Sequence, residues 1–410
     1  MVPTEATAAA VGAQAGALEK RRYLRGFMPP NNLAIYLSNR CNLDCRYCYV
    51  AVNQGEPHYL CFGQIKDAVD RFLNMPSQAE KKISFLGGEP LLRWGVLEES
   101  IRYARNLAES SIIIQIFTNG TELSRERFDF LMEHDVEVTL SLDGPQEIND
   151  LNRPFYRRSG SPFKKTMEKI KSFPKSRLGV NMVFTTQTVD RLLSDIEFFR
   201  QKGFGRISFT PDLNEPWPEE KINHLRCVME GFRRYYALLV DKGAPIFAIA
   251  NLYAILEKTT IFPGRSYWWE DCHNLVVGAD GGFYACDKSL GFDFAKVKPD
   301  KVGDVKSGVE WEKRESLYQE ARAAVISEVK DGNAFTSCPM GIFFVKKALG
   351  KDPGKALSNF EAVSKAYGDP LLKLALDLWE NRTFREFHAI SDGAPKPRIA
   401  AEIGMATISL

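Results

Sequence analysis

Cys41, Cys45 and Cys48 form a C-x3-C-x2-C set just after the strand-like run Leu33 to Leu37. Thiolates gathered this closely suit an iron–sulfur cluster or zinc, and three of them on a four-iron cube leave one iron open to a substrate or cofactor. A structural zinc knuckle would need a fourth ligand close by, and the next histidine, His58, lies ten residues past Cys48. Gly87-Gly88-Glu89-Pro90 is a second chemically capable group: its glycines let backbone approach a ligand closely and its carboxylate suits an ammonium. The same four residues also suit a helix start. Thr118-Asn119-Gly120 and Ser141-Leu142-Asp143-Gly144 carry polar side chains that can bond hydroxyls, and both are ordinary turn formers. Arg153 offers a guanidinium fork to a carboxylate, with Arg157 and Arg158 as competitors. Asp212 is a candidate general base or a solvated turn carboxylate.

These residues need a scaffold that brings them together. Strands are expected at Leu33–Ser38, Lys82–Leu86, Ser111–Phe117, Val136–Leu142, Gly179–Thr185 and Arg206–Thr210. Helical periodicity marks Phe62–Asn74, Gly95–Ala108, Ser124–His134, Pro162–Ser172 and Asp190–Gly203 between them. Alternation of this length implies a parallel sheet with right-handed crossovers, whose chemistry gathers at the carboxyl ends of the strands. Each motif above, apart from Arg153, falls at or just after such an end. Past Pro211 the alternation stops at Asn214-Glu215-Pro216-Trp217-Pro218, a long amphipathic helix follows around Glu219–Lys242, and glycines with short strands come after Cys272.

The cysteine triplet, with Tyr47 just before its last member, closely resembles the signature of the radical S-adenosylmethionine (SAM) superfamily. The resemblance implies a partial, six-fold (β/α)6 TIM-type barrel and a [4Fe-4S] cluster whose free iron is chelated by SAM. It further implies that Tyr47, Gly87, Gly88, Glu89, Thr118, Asn119, Ser141, Asp143 and Arg153 are the SAM-contacting positions, Arg153 facing the SAM carboxylate. Cys272 and Cys286 flank the glycine-bearing hairpin 276–285, which resembles the opening of a SPASM or twitch extension. That likeness implies a second, auxiliary [4Fe-4S] cluster on Cys272, Cys286 and Cys338. The dense cysteine run of a full SPASM extension is missing, so a shortened, twitch-like C-terminal iron–sulfur domain is expected. The resulting division is an arm over 1–28, the barrel over 29–244, the auxiliary domain over 245–345 and a helical tail over 346–410.

Composition narrows the function. With 54 basic against 52 acidic residues, no strong field favours nucleic acid or a membrane surface. The Ala6 to Leu18 stretch is too short and too interrupted for a membrane span or a signal peptide. Eight cysteines then argue for metal or redox chemistry in a reducing, cytoplasmic setting. The expectation is a SAM-cleaving enzyme that modifies a ribosomally made peptide or protein by crosslinking, oxidation or epimerisation. An electron donor of flavodoxin or ferredoxin type is implied, and peptide recognition would fall to a separate protein or the barrel rim. A small-molecule dehydrogenase is the second reading and a non-catalytic iron–sulfur or zinc scaffold the third. Cys227, Cys338 and Asp212 are the candidate catalytic side chains, the cysteines as hydrogen-atom donors. Cys61 and Cys227 read otherwise as small buried hydrophobes.

Overall fold

The computed structural model describes residues 30–328, except 51, 77–79, 108–111, 214, 251, 253–273, 291–300 and, beyond these, residues 353–388. Six strand–helix repeats lead the chain. They run β1 (Asn32–Tyr36), α1 (Phe62–Leu73), β2 (Lys82–Leu86), α2 (Trp94–Leu107), β3 (Ile113–Thr118) and α3 (Arg125–Glu133). β4 (Val136–Ser141), α4 (Gln146–Asn152), α5 (Pro162–Lys169), β5 (Leu178–Phe184), α6 (Leu192–Gln201), β6 (Arg206–Pro211) and α7 (Glu219–Asp241) complete them. Strands β1 to β6 pair in sequence order, all parallel. Ile83, Phe85, Ile114, Ile116, Val138, Leu140, Val180 and Met182 alternate along their strands and are all buried, so they line one covered face of the sheet.

The expected six-stranded row proves longer at both edges. A short β7 (Ala248–Ile249) adds to β6, and β8 (Asn274–Val277) pairs parallel with β1. From β8 the sheet continues antiparallel through β9 (Gly282–Tyr284), β10 (Lys301–Asp304) and β11 (Gly308–Val309). The hairpin after residue 245 is thus an extension of the barrel sheet. Arg71 of α1 steadies it by donating to the carbonyls of Val305 and Lys306 at 3.0 and 2.6 Å.

Three C-terminal helices follow, α8 (Trp311–Glu328), α9 (Pro353–Asp377) and α10 (Arg382–Phe387). α9 covers the β5–β6 side: Tyr367 donates to the Phe209 carbonyl at 2.5 Å, and Asn359 exchanges two hydrogen bonds with the Trp217 backbone. His388, just past α10, accepts from the Ile249 amide at 3.2 Å, pinning the helix to β7. No helix among the described residues is long and apolar enough to cross a membrane.

Candidate active site at the carboxyl ends of the barrel strands

The cysteine loop leaves β1 and runs in extended form beside residues 152–156. Leu43 bridges Phe155 in antiparallel fashion. Backbone bonds run from Asp44 to Pro154, from Arg46 to Asn152 and from Tyr156 to Asn42, at 2.8, 2.9 and 3.0 Å. On its other side the loop meets the end of β2. Gly88 donates to Ser38 and Glu89 to Arg40 at 2.8 and 2.9 Å, and a Cβ at Gly88 would stand 1.8 Å from the Arg40 carbonyl oxygen. The glycine at this position therefore serves backbone-to-backbone contact with the cysteine loop, where the sequence had suggested approach to a ligand. Gly87, at φ +144°, makes the turn that this contact requires.

Glu89 is buried, its carboxylate accepting from the Leu91 amide, the Thr118 hydroxyl and the Asn119 amide at 3.0, 2.6 and 2.8 Å. Burial raises its pKa to about 7 despite those three bonds, which favour the charged form. It thus joins the β2 and β3 strand ends. Asn119 in turn donates to Asn42 at 2.8 Å and makes a weak 3.9 Å contact to the Cys41 sulfur.

Asp143, just past β4, is the hub of the opposite wall. It accepts from Arg153 at 2.9 Å, Tyr47 at 2.5 Å, Asn152 at 3.1 Å and the Val183 amide at 2.9 Å. Burial alone would lower the Arg153 pKa; the charge on Asp143, with Tyr47 and Cys45, more than offsets it. The guanidinium sits over the Tyr47 ring, and its Nε is buried without a hydrogen-bond partner. Arg157 and Arg158 are exposed and stacked on Tyr156 and Phe155, which withdraws them from competition with Arg153. Ser141 is half-buried at the end of β4, beside Asn181 of β5.

The three thiols keep some contact with water, Cys48 the most, yet protein surrounds them so closely that burial raises all three pKa values, Cys45 to about 12. Each thiol feels at least one of the others, although no three metal-ligating side chains among the described residues converge to ligating distances. The donor chemistry nevertheless fits a cluster: the Leu43 amide donates to the Cys41 sulfur at 3.3 Å, and Arg153 lowers the cost of charge on Cys45.

Of the second cysteine group, Cys286 is described and Cys272 and Cys338 lie outside the described residues. Cys286 is buried at the end of the β8–β9 hairpin, its sulfur 3.4 Å from an Asp287 oxygen. From there a hydrogen-bonded chain returns to the triplet: Tyr49 donates to Asp287 at 2.9 Å, and the Tyr49 and Tyr36 hydroxyls meet at 3.1 Å. Lys288 covers the Tyr49 ring at 3.2 Å. Sequence reasoning passed over Tyr36, Tyr49, Asp287 and Lys288. The only signal was adjacency, since Tyr49 follows Cys48 and Asp287 follows Cys286.

Two expectations are corrected. Cys227 is not beside the strand ends: it lies on α7, whose packed face is Ile222, Leu225, Met229, Phe232, Tyr236 and Val240, and it points to solvent. It therefore cannot meet a substrate inside the barrel. Cys61 likewise is exposed, at the N-cap of α1, and not a buried hydrophobe. Asp212 does sit at the end of β6, buried, with its carbonyl held by the Trp217 indole at 2.8 Å.

A partial parallel barrel with three thiols in a loop after its first strand, braced by a GGE turn, defines a radical SAM protein. Residues 35–199 match the radical SAM superfamily, and the chain belongs to that superfamily, which holds a [4Fe-4S] cluster and SAM. Over 284 residues it is 33% identical to an uncharacterized protein of Methanocaldococcus jannaschii, covering 66% of this chain and 92% of that one. It is 28% identical over 284 residues to the cysteine-type anaerobic sulfatase-maturating enzyme of Clostridium perfringens, covering 63% and 75%. Among solved structures, native anSMEcpe with bound AdoMet and Cp18Cys peptide superposes with a TM-score of 0.64 at 22% identity, covering 88% of this chain and all of that one. Streptococcus suis SuiB bound to precursor peptide SuiA gives 0.56 at 16% identity, covering 76% and 71%. At these identities the superpositions establish a shared fold.

Proposed function

We propose that this protein oxidises a cysteine or serine side chain within a peptide or protein substrate. The observation that carries the reading is the Asp287 carboxylate, hydrogen-bonded to Tyr49 between the cysteine triplet and Cys286. The relatives named as sulfatase-maturating enzymes support it. When bound at Cys41, Cys45 and Cys48, the cluster with SAM supplies a 5′-deoxyadenosyl radical that takes a hydrogen atom from the substrate. Arg153, oriented by Asp143, would hold the SAM carboxylate, while the Gly87–Glu89 turn and Ser141 would hold the methionyl and ribose ends. Tyr47, Thr118, Asn119 and Asp143 serve this reading by holding the loop and strand ends in register. Oxidation of a side-chain thiol or alcohol also releases a proton and a second electron: Asp287 would accept the proton, in preference to Asp212, and the electron would pass to an auxiliary cluster; a thioaldehyde formed from cysteine would then exchange its sulfur for water with loss of hydrogen sulfide. Cys286, with Cys272 and Cys338, would bind an auxiliary cluster. The domain limits at 244 and 345 belong to this proposal.

The test is anaerobic, reconstituted protein reduced by dithionite with SAM and peptides containing cysteine or serine. The expected products are 5′-deoxyadenosine and a peptide aldehyde that forms a hydrazone. A converted peptide of unchanged mass in ordinary water that becomes heavier by a single deuterium in deuterated buffer would replace oxidation by epimerisation, and a linkage between side chains would replace it by crosslinking. Absence of 5′-deoxyadenosine from folded, iron-loaded protein would refute the enzyme reading as a whole.

A further inference from the structure

The outer side of the cysteine loop carries a charge pattern that the proposed chemistry does not use. The loop pairs with residues 152–156 up to Arg46 and then turns at Arg46–Tyr47, where the Cys48 amide donates to the Cys45 carbonyl at 3.1 Å; Leu43 is buried and Cys45 and Tyr47 are half-buried, while Asp44 and Arg46 are exposed. The segment paired with it, residues 152–156, continues into the exposed Arg157 and Arg158, and Arg158 folds back with its guanidinium 3.9 Å from the Phe155 ring centre, beside Leu43. At the loop's start, the half-exposed Arg40 reaches the Gly55 carbonyl at 2.7 Å. Four guanidinium groups thus face outward against one carboxylate, Asp44, on the two segments, and Glu56 on the adjoining turn adds one more. The whole chain has a formal net charge of only +2, so the surplus of positive charge on this strip is a local feature and not the overall balance of the chain.

Position gives the strip its meaning. Arg40 directly precedes Cys41 and Arg46 directly follows Cys45. Electron transfer weakens steeply with distance, and a partner seated here meets side chains adjacent in sequence to two of the three thiols, with the third, Cys48, itself exposed.

We propose that Arg40, Arg46, Arg157 and Arg158 form the docking surface for a small acidic one-electron carrier of flavodoxin type. One electron leaves the carrier's reduced flavin and enters the cluster held by Cys41, Cys45 and Cys48. The inference rests on the cluster reading above. Interfaces of this kind are small and weak, and charge complementarity acts mainly on encounter rate.

The experiment compares 5′-deoxyadenosine formation driven by dithionite with that driven by flavodoxin, flavodoxin reductase and NADPH. Dithionite-driven cleavage by the wild type tests the cluster reading by itself. Given that activity, Arg46→Glu/Arg158→Glu should raise the flavodoxin concentration for half-maximal rate by about tenfold or more and leave the dithionite rate within about twofold. The wild-type flavodoxin rate should fall with added salt more steeply than that of the variant, and Arg46→Lys/Arg158→Lys should recover most of the donor affinity. Unchanged flavodoxin dependence overturns the proposal. An equal fall in the dithionite rate also overturns it, because it would show that the arginines hold the loop rather than the donor.

Discussion

Arg153 and Asp143 meet at 2.9 Å with both side chains enclosed, and the pair ties the segment behind the cysteine loop to the end of the fourth barrel strand. Such a pair is costly to form and far costlier to break on one side, because the surviving charge stays buried. Asp143→Ala should therefore lower unfolding free energy by about 3–5 kcal/mol, read from urea denaturation. Iron retention after reconstitution should fall with it, since Tyr47 and Asn152 lose the same acceptor. Unaltered stability would mean that the pair is not closed in solution.

The two glycines Gly88 and Gly95, close in sequence, should respond oppositely to the same change. Gly88→Ala places a methyl group 1.8 Å from backbone oxygen, which nothing flexible can relieve, so the loop must shift and folded, iron-binding protein should be lost. Gly95 is exposed in α2 with nothing within 4 Å of its would-be Cβ, and Gly95→Ala should stabilise by about 0.5–1 kcal/mol. Circular dichroism melts of the pair check both.

Stability should depend on pH through His388. Its Nε2 accepts from Ile249, and burial lowers its pKa from 6.5 to about 4. The folded state then binds fewer protons than the unfolded state between those values, so the contribution is complete above about pH 6.5 and is lost as pH falls toward 4. Up to about 3 kcal/mol is at stake. His388→Gln should be less stable than the wild type at pH 7.5 and show a flatter denaturation midpoint between pH 7 and about 4.5.

Iron analysis should separate the two cysteine groups. Reconstituted wild type should hold about eight iron per chain, Cys286→Ala about four, and Cys41→Ala/Cys45→Ala/Cys48→Ala about four. A wild-type value of about four would remove the auxiliary cluster from the proposed function.

The parts of the molecule legible in the sequence are those with local signatures. The six strand–helix repeats announce themselves through hydrophobic period, and the thiols and the GGE turn through spacing. What stayed hidden depends on contacts between distant segments. That Gly88 packs on Arg40, or that residues 152–156 lie along residues 42–46, follows from how two strand ends converge, which no window of sequence records. Cys227 follows β6 closely in sequence, yet the register of α7 turns it to solvent, and that register is set by contacts with the rest of the fold. Asp287 went unnoticed because its meaning depends on Tyr49, 238 residues earlier.

The pairing of β1 with β8 bears on how the enzyme is made. During synthesis, the strand that launches the cysteine loop has one flank satisfied early, by β2, but the other waits for Asn274, which bonds Asn32 across 242 positions. At ribosomal speed this interval is roughly 10–50 s. Throughout it the thiols belong to an incomplete wall, with Tyr49 not yet capped by Asp287. Iron–sulfur delivery machinery would meet its client most accessible in that nascent state, before the last strands seal the nest.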